Sequence, residues 1–136
     1  MVKQVKIGLV LGKGPPPGYR WGVQYLSTAS NEAGSLLNEA QYAHAVDLLR
    51  ALAYEDAPTS PKSVDVDAVE DFHELRDKGG ILGKINLRIF FAVDGKSRTI
   101  VVLGVIKKEA EGPTPSWIKT RIRSRIRALR QMGWSV

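Results

Sequence analysis

Cations recur at set places in an otherwise apolar stretch near the centre of the chain. Arg88 lies inside LRIFFAVD, and Lys107 and Lys108 end the apolar run that follows it. A guanidinium presents a planar pair of donors to phosphate oxygens, and an ammonium adds a compact positive charge. If neighbouring strands bring these cations to one concave face, the ligand they suit is a phosphate of RNA or DNA.

A shorter segment, FHELR at 72–76, adds groups that can exchange a proton. His73 and Glu74 are adjacent, and Arg76 follows two positions later. A histidine or a carboxylate within reach of a reacting hydroxyl can act as a general base. Two plainer interpretations stay open, because a lone histidine in a strand is more often structural and Glu74 can simply pair with Arg88.

The charge of the chain is unevenly distributed around a net value of +6. Residues 84–130 contain twelve Lys or Arg and three acids, whereas residues 32–77 contain eleven acids. Such an asymmetry favours a polyanionic partner, nucleic acid above all. The alternative is that the two halves attract each other. On the first interpretation, the residues expected to contact RNA are Lys84, Lys107, Arg121 and Arg125.

The composition argues against several classes of site. The chain has no cysteine, which excludes disulfides and thiolate metal sites. It has two histidines, too few for the usual ligand set of a structural zinc site. The apolar runs fall short of the roughly 20 residues that span a bilayer. We therefore expect a cytoplasmic protein without membrane contact, metal or cofactor.

The glycines near the N-terminus do not form a nucleotide-binding loop. In GLVLGKGPPP, three residues separate Gly8 from Gly12, Gly14 follows the lysine, and prolines prevent the helix that must follow. The phosphate-binding loop of nucleotide hydrolases needs four intervening residues and a Ser or Thr after the lysine. The segment is expected to be a surface loop.

The hydrophobic pattern predicts one α+β domain over residues 1–136. Helical spacing is strongest over 38–54, and a Ser or Asn at 30–31 is the expected start of a shorter helix ending at 37. The predicted strands are 2–10, 21–27, 72–76, 87–94 and 99–106. The strand at 99–106 is apolar on both faces and should be central. The last helix should be capped by Ser116 and carries an apolar stripe of Ile118, Ile122, Ile126 and Leu129.

The predicted sheet explains how a cation can lie within apolar sequence. Leu87, Ile89 and Phe91 share one face of a strand, and Arg88 falls on the other face. Helices are expected to pack mainly on one face, so Arg88 need not be buried. Asp94-Gly95 supplies the turn to the next strand.

HELR, LRIFFAVDGK, TIVVLGVIKKE and a Thr-Pro step before a final helix occur in that order. This series resembles the RelE/ParE toxin superfamily, in particular its phage-derived, HigB-like branch. The resemblance covers about residues 38–129, and residues 1–30 form an atypical N-terminal extension. It implies a small twisted antiparallel sheet with a helical hairpin packed on one face and a C-terminal basic helix.

The resemblance also implies a function and partners. It implies a toxin of a type II toxin–antitoxin system that cleaves ribosome-bound messenger RNA without a metal and is neutralised by a cognate antitoxin protein. Carried over by position, Arg76, Arg88 and Lys108 would stabilise charge at the phosphate, and Glu74 or His73 would activate the ribose 2′-hydroxyl. The alternative is a non-catalytic relative that binds antitoxin, RNA or DNA gyrase through the same basic surface.

Overall fold

A computed structural model describes residues 4–5, 15, 17–77, 86–108 and 113–136, with the backbone alone at 4, 5, 86 and 108. The elements in chain order are β1 (Gln4–Val5), β2 (Gly22–Leu26), α1 (Ser27–Leu36), α2 (Glu39–Tyr54), β3 (Asp65–Val69), β4 (Phe72–Asp77), β5 (Asn86–Asp94), β6 (Thr99–Lys108) and α3 (Ser116–Gln131). The expected α+β composition is confirmed.

The strands form one sheet in the order β1-β2-β6-β5-β4-β3. Four neighbouring pairs are antiparallel, and β2 runs parallel to β6. The expectation of a purely antiparallel sheet is therefore wrong at this pair, because β2 reaches the other strands through α1 and α2 instead of a tight turn. The expected central strand is confirmed as β6, in which residues 99–105 are buried.

The two faces of the sheet are covered by different helices. Lys107, which pairs with Leu87, contacts Gln41 of α2 (Nζ–Oε1 3.4 Å). Gly104 lies three positions earlier on the opposite face, where a Cβ would come 2.7 Å from Cδ1 of Ile122 in α3. The expectation that the helices pack mainly on one face is wrong, because the isoleucine stripe of α3 covers the second face.

The helices begin differently from the caps expected at 30–31 and at Ser116, and α2 has a cap that was not predicted. At α2, Asn38 accepts a hydrogen bond from the Gln41 backbone N–H while the Gln41 side chain accepts one from the Asn38 N–H, which is a capping box. α1 begins at Ser27 and not at 30–31, because the chain leaves β2 directly into the helix at Leu26. Ser116 is the first residue of α3 and makes no cap, since the preceding residue, Pro115, occupies that position.

Several sequence predictions fall outside the described residues. These are Lys84, most of the 2–10 strand, the N-terminal glycine-rich loop and the glycine-rich connection after β4. No helix in the described ranges is long and apolar enough to cross a membrane.

Candidate functional site

Two arginines meet across adjacent strands on the face covered by α3. Arg76 of β4 stands directly opposite Arg88 of β5. Like charges in this position repel each other unless an anion lies between them. The anion is Glu74, whose Oε2 accepts from Arg76 Nε at 2.8 Å and whose Oε1 lies 3.3 Å from Arg88 Nη1. These three side chains and Thr114 are here called the Glu74 cluster.

The Glu74 cluster is closed to solvent on its inner side. Thr114 donates its hydroxyl hydrogen to Glu74 Oε1 at 2.7 Å, and Arg88 Nη1 lies 3.4 Å from the same hydroxyl. Glu74 is fully buried and Arg88 is 2% exposed. The expectation that Arg88 need not be buried is wrong, because the segment before α3 lies over this face. Both oxygens of Glu74 already accept hydrogen bonds.

Arg76 is the member of the cluster that reaches the surface. Its side chain is 21% exposed, and its Nη1 lies 3.2 Å from Asp67 Oδ2 on β3. Burial acts to lower the pKa of Arg76, but the hydrogen bond and charge of Glu74, with the charges of Asp67 and Asp65, outweigh it and raise that pKa. Arg76 therefore keeps its positive charge.

An open depression of about 370 Å³ lies beside the exposed edge of Arg76. Lys119 of α3 adds a second cation to its wall, and Thr114 and Pro113 form another part. Asp67 and Glu70 also line it. The depression thus combines cations and anions, and it gives the Glu74 cluster its contact with solvent.

His73 lies on the other side of the sheet from Glu74. Successive side chains of a strand point to opposite faces, and the His73 ring stacks on Phe91 with a centroid separation of 5.7 Å. Burial lowers the pKa of His73. The structure therefore brings Glu74, Arg76 and Arg88 together and leaves His73 apart from them.

The predicted basic residues at the end of β6 and on α3 separate into different surroundings. Lys107 is exposed on the face of α2. Arg125 is held by Glu32 (Nη2–Oε2 2.8 Å) and donates to the Leu103 carbonyl at 2.7 Å. Arg121 is half-exposed over the Trp117 ring at 5.0 Å. Arg125 therefore joins elements of the fold, whereas Lys107 and Arg121 face solvent.

Lys108 ends β6 with its backbone opposite Asn86. Its side chain lies outside the description, as does all of Lys84. The roles predicted for these two residues remain predictions.

The oppositely charged halves of the chain attract each other, as the plainer interpretation of the composition supposed. Acidic residues of the middle form four ion pairs with arginines of α3, among them Glu32–Arg121 at 4.0 Å. The other three pairs are Glu32–Arg125, Glu70–Arg123 and Asp71–Arg130. Much of the basic charge of α3 is therefore engaged within the molecule.

A histidine–aspartate pair escaped the sequence reasoning. His44 Nε2 of α2 lies 3.1 Å from Asp77 Oδ2 at the end of β4, and both side chains are largely buried. The spacing from Gln41 to His44 places both residues on one face of α2, but no local sequence pattern indicates that this face lies against β4. Among the described residues no group of three or more His, Asp or Glu could hold a metal ion.

Comparison with protein-family models and with curated proteins finds no match to this chain. Assignment to a family therefore depends on the residues and their arrangement.

Proposed function

We propose that the protein is a toxin-like member of the RelE/ParE superfamily that cleaves messenger RNA on the ribosome. The observation that carries this proposal is the pairing of Arg76 with Arg88 on adjacent strands beside an open depression. A second support is the order of elements, in which two strands and two helices precede four further strands and a basic helix ends the fold. The resemblance in sequence implies a helical hairpin, an antiparallel sheet and a C-terminal basic helix.

Within this proposal, Arg76 is the residue that contacts the phosphate. It is the exposed arginine of the Glu74 cluster, and its guanidinium can present two parallel donors to phosphate oxygens. Lys119 supplies further positive charge at the same depression. Arg88 acts behind Arg76, because its burial keeps it from meeting a substrate without movement of the segment at 113–115.

Glu74 is assigned a positioning role. Its two oxygens accept from Arg76, Arg88 and Thr114, and a carboxylate that is fully buried in this way is poorly placed to take a proton from a ribose. Its contribution is to hold the two arginines in register despite their like charge.

The proposed reaction is transfer of a phosphoryl group within the RNA. The 2′-oxygen forms a bond to phosphorus and gives its proton to a base, while the bond from phosphorus to the 5′-oxygen breaks and that oxygen takes up a proton. The products are a 2′,3′-cyclic phosphate and a free 5′-hydroxyl. Arg76 lowers the barrier by stabilising negative charge that develops on the phosphate oxygens.

A second function, binding without cleavage, is favoured by one feature of the site. Among the described residues, neither of the two bases expected from the sequence reaches the depression beside Arg76, since Glu74 is buried and His73 lies on the other face. A relative that binds RNA, DNA gyrase or an antitoxin through its basic surface needs no base.

Induced expression in bacteria tests the proposal. The wild-type protein should arrest growth, and mapping of RNA 5′ ends on ribosome-bound messages should show new cleavage sites. Arg76→Ala should lower cleavage by about a hundredfold or more, the usual effect of removing one group that stabilises transition-state charge. Arg76→Lys should recover part of the activity, because it keeps the charge and loses the paired donors.

Arg50→Ala is the matched control, because Arg50 is a half-exposed arginine of α2 with a distant ion-pair partner, Asp47, at 3.9 Å. It should arrest growth like the wild type. Growth arrest without new RNA 5′ ends would favour the second function, binding without cleavage. Normal growth with abundant soluble protein would overturn the proposed cleavage of messenger RNA.

A further inference from the structure

We propose that Asp67 makes the depression beside Arg76 selective for a singly charged phosphodiester over a doubly charged phosphate monoester. This role rests on the proposed function, in which Arg76 contacts the phosphate, and it adds a residue that sets the charge of the accepted anion. Asp67 lies on β3 and lines the depression of about 370 Å³. No sequence motif assigns it a role.

The outward side of the Arg76 guanidinium is held by Asp67. Nε of Arg76 donates inward to Glu74 Oε2 at 2.8 Å, and Nη1 lies 3.2 Å from Asp67 Oδ2. A guanidinium binds a phosphate best through two parallel donors. With Nε engaged, the remaining pair of donors is Nη1 and Nη2, so an incoming phosphate meets the Asp67 carboxylate at Nη1. Any anion that binds Arg76 therefore competes with Asp67.

The Asp67 carboxylate can give way to such an anion because it lies at the surface. Its side chain is 48% exposed, whereas Glu74, the other acid bound to Arg76, is fully buried. A carboxylate that rotates into water keeps its hydration, so its displacement leaves no unpaired charge inside the protein. Exposed ion pairs also contribute little to stability, and breaking this one costs little.

The backbone of Asp67 stays close to the depression when its side chain moves. The turn from β3 to β4 includes Glu70, whose φ of 59° is one that residues other than glycine rarely adopt. Helix α3 binds both residues of this turn, Glu70 through Arg123 and Asp71 through Arg130 at 3.4 Å. β3 is thus held against β4, and a displaced Asp67 carboxylate remains at the wall of the depression.

The charges around the depression limit how much negative charge it accepts. Against the lowering effect of burial, three acids raise the pKa of Arg76, namely Glu74, Asp67 and Asp65. A phosphodiester has one negative charge, whereas a phosphate monoester has nearly two above its second pKa of about 6. Arg76 and Lys119 attract the first charge. Asp67 and Asp65 repel the second, which disfavours the monoester.

Two small anions of different charge test this role on the intact protein. Dimethyl phosphate and methyl phosphate are titrated at constant ionic strength and about pH 8, where only the second is doubly charged. The NMR signal of the Arg76 Nε–H group reports binding. The wild type should bind dimethyl phosphate at least about threefold more tightly than methyl phosphate. In Asp67→Asn, methyl phosphate should gain at least about tenfold in affinity and become the preferred anion, because a nearby negative charge is removed.

Two variants control for the charge and for its place. Asp67→Glu keeps the charge and should keep the preference for dimethyl phosphate. Asp47→Asn is the matched control, because Asp47 is an exposed acid (70%) of α2 that lies 3.9 Å from Arg50 and outside the depression lining. Both of its affinities should stay within about twofold of the wild type. Thermal unfolding establishes that each variant is folded.

Two results would overturn this role of Asp67. One is an unchanged ratio of the two affinities in Asp67→Asn, which would leave Asp67 as a residue that only supports strand pairing. The other is a wild-type protein that prefers methyl phosphate, or whose Arg76 signal moves with neither anion. RNA cleavage plays no part in these titrations. Absence of cleavage with the anion preference intact would refute the proposed function alone, and cleavage with an unchanged ratio would refute the role of Asp67 alone.

Discussion

Two groups of cations lie near the same end of the sheet in opposite surroundings. Arg88 is 2% exposed and bound to Glu74, whereas Arg121 is half-exposed above Trp117 in the wall of an apolar groove. Ile106 links the two regions, because it pairs with Arg88 across the sheet and lines the groove. In the first region the carboxylate of Glu74 compensates buried charge, whereas in the second Arg121 stays half-exposed, with Glu32 4.0 Å away.

The largest expected effect comes from removing the anion of the closed region. Glu74→Ala leaves Arg88 buried without its carboxylate and Arg76 beside a like charge. Breaking a buried ion pair in this way costs about 3–5 kcal/mol of unfolding free energy. Urea denaturation followed by circular dichroism measures the loss, and a loss below about 1 kcal/mol would show that the cluster does not hold the fold.

The double substitution Glu74→Met with Arg88→Met refines that result. It removes both buried charges together, so it should be markedly more stable than Glu74→Ala. If the double variant is as unstable as the single one, the loss comes from packing and not from an uncompensated charge.

A smaller effect is expected where α3 meets the sheet. A Cβ at Gly104 would come 2.7 Å from Ile122 Cδ1 and 3.0 Å from Arg125 Nη1. Gly104→Ala should therefore destabilise the protein by about 1–3 kcal/mol, as overpacking does. Gly34→Ala is the control: it lies within α1 with open space around its Cβ, and it should stabilise by about 0.5–1 kcal/mol.

An exposed ion pair should contribute less than either. Arg123 of α3 pairs with Glu70, and both side chains are about 40% exposed (42% and 40%). Such pairs are worth about 0–1 kcal/mol, so Arg123→Ala should change the urea midpoint slightly and lose even that change in high salt. A loss comparable to that of Glu74→Ala would remove the contrast between closed and open charges.

The smallest effect concerns pH. Burial lowers the pKa of His73 in the folded protein, so the unfolded chain takes up a proton first as pH falls. The stability linked to His73 is complete above the ordinary histidine pKa of about 6.5 and declines as pH falls through the lowered value. His73→Gln should show a shallower loss of stability on acidification from about pH 6.5 to pH 5. Equal slopes would contradict the assignment.

Strong local signals in the sequence predicted much of the fold. The regular apolar spacing over residues 38–54 predicts α2, and β6 is recognisable as central because both of its faces are apolar. What failed depended on contacts between distant segments. The sequence does not state that β2 lies parallel to β6, nor that α3 covers the face bearing Arg88.

The candidate site was predictable in composition and less so in exposure. Alternation along a strand correctly puts Arg88 and Glu74 on the face opposite Leu75 and Leu87, and pairing of β4 with β5 then sets Arg76 beside Arg88. Whether such a charge meets solvent depends on what covers it. The groove lined by Leu36 of α1 and Trp117 of α3 is formed by elements far apart in sequence, as is the His44–Asp77 pair. No local sequence pattern predicts either of them.

Among the described residues, no strand pairs with β6 beyond Val102 on the side of β2, and Glu32 and Arg125 bind the β6 backbone there instead. β2 ends at Leu26, and its pairing with β6 reaches Val102. Beyond that point Glu32 accepts a hydrogen bond from the Val105 N–H at 3.1 Å, and Arg125 donates to the Leu103 carbonyl. Side chains thus seal a stretch of backbone that would otherwise offer a template to another chain, and the most hydrophobic strand of the protein is protected from aggregation.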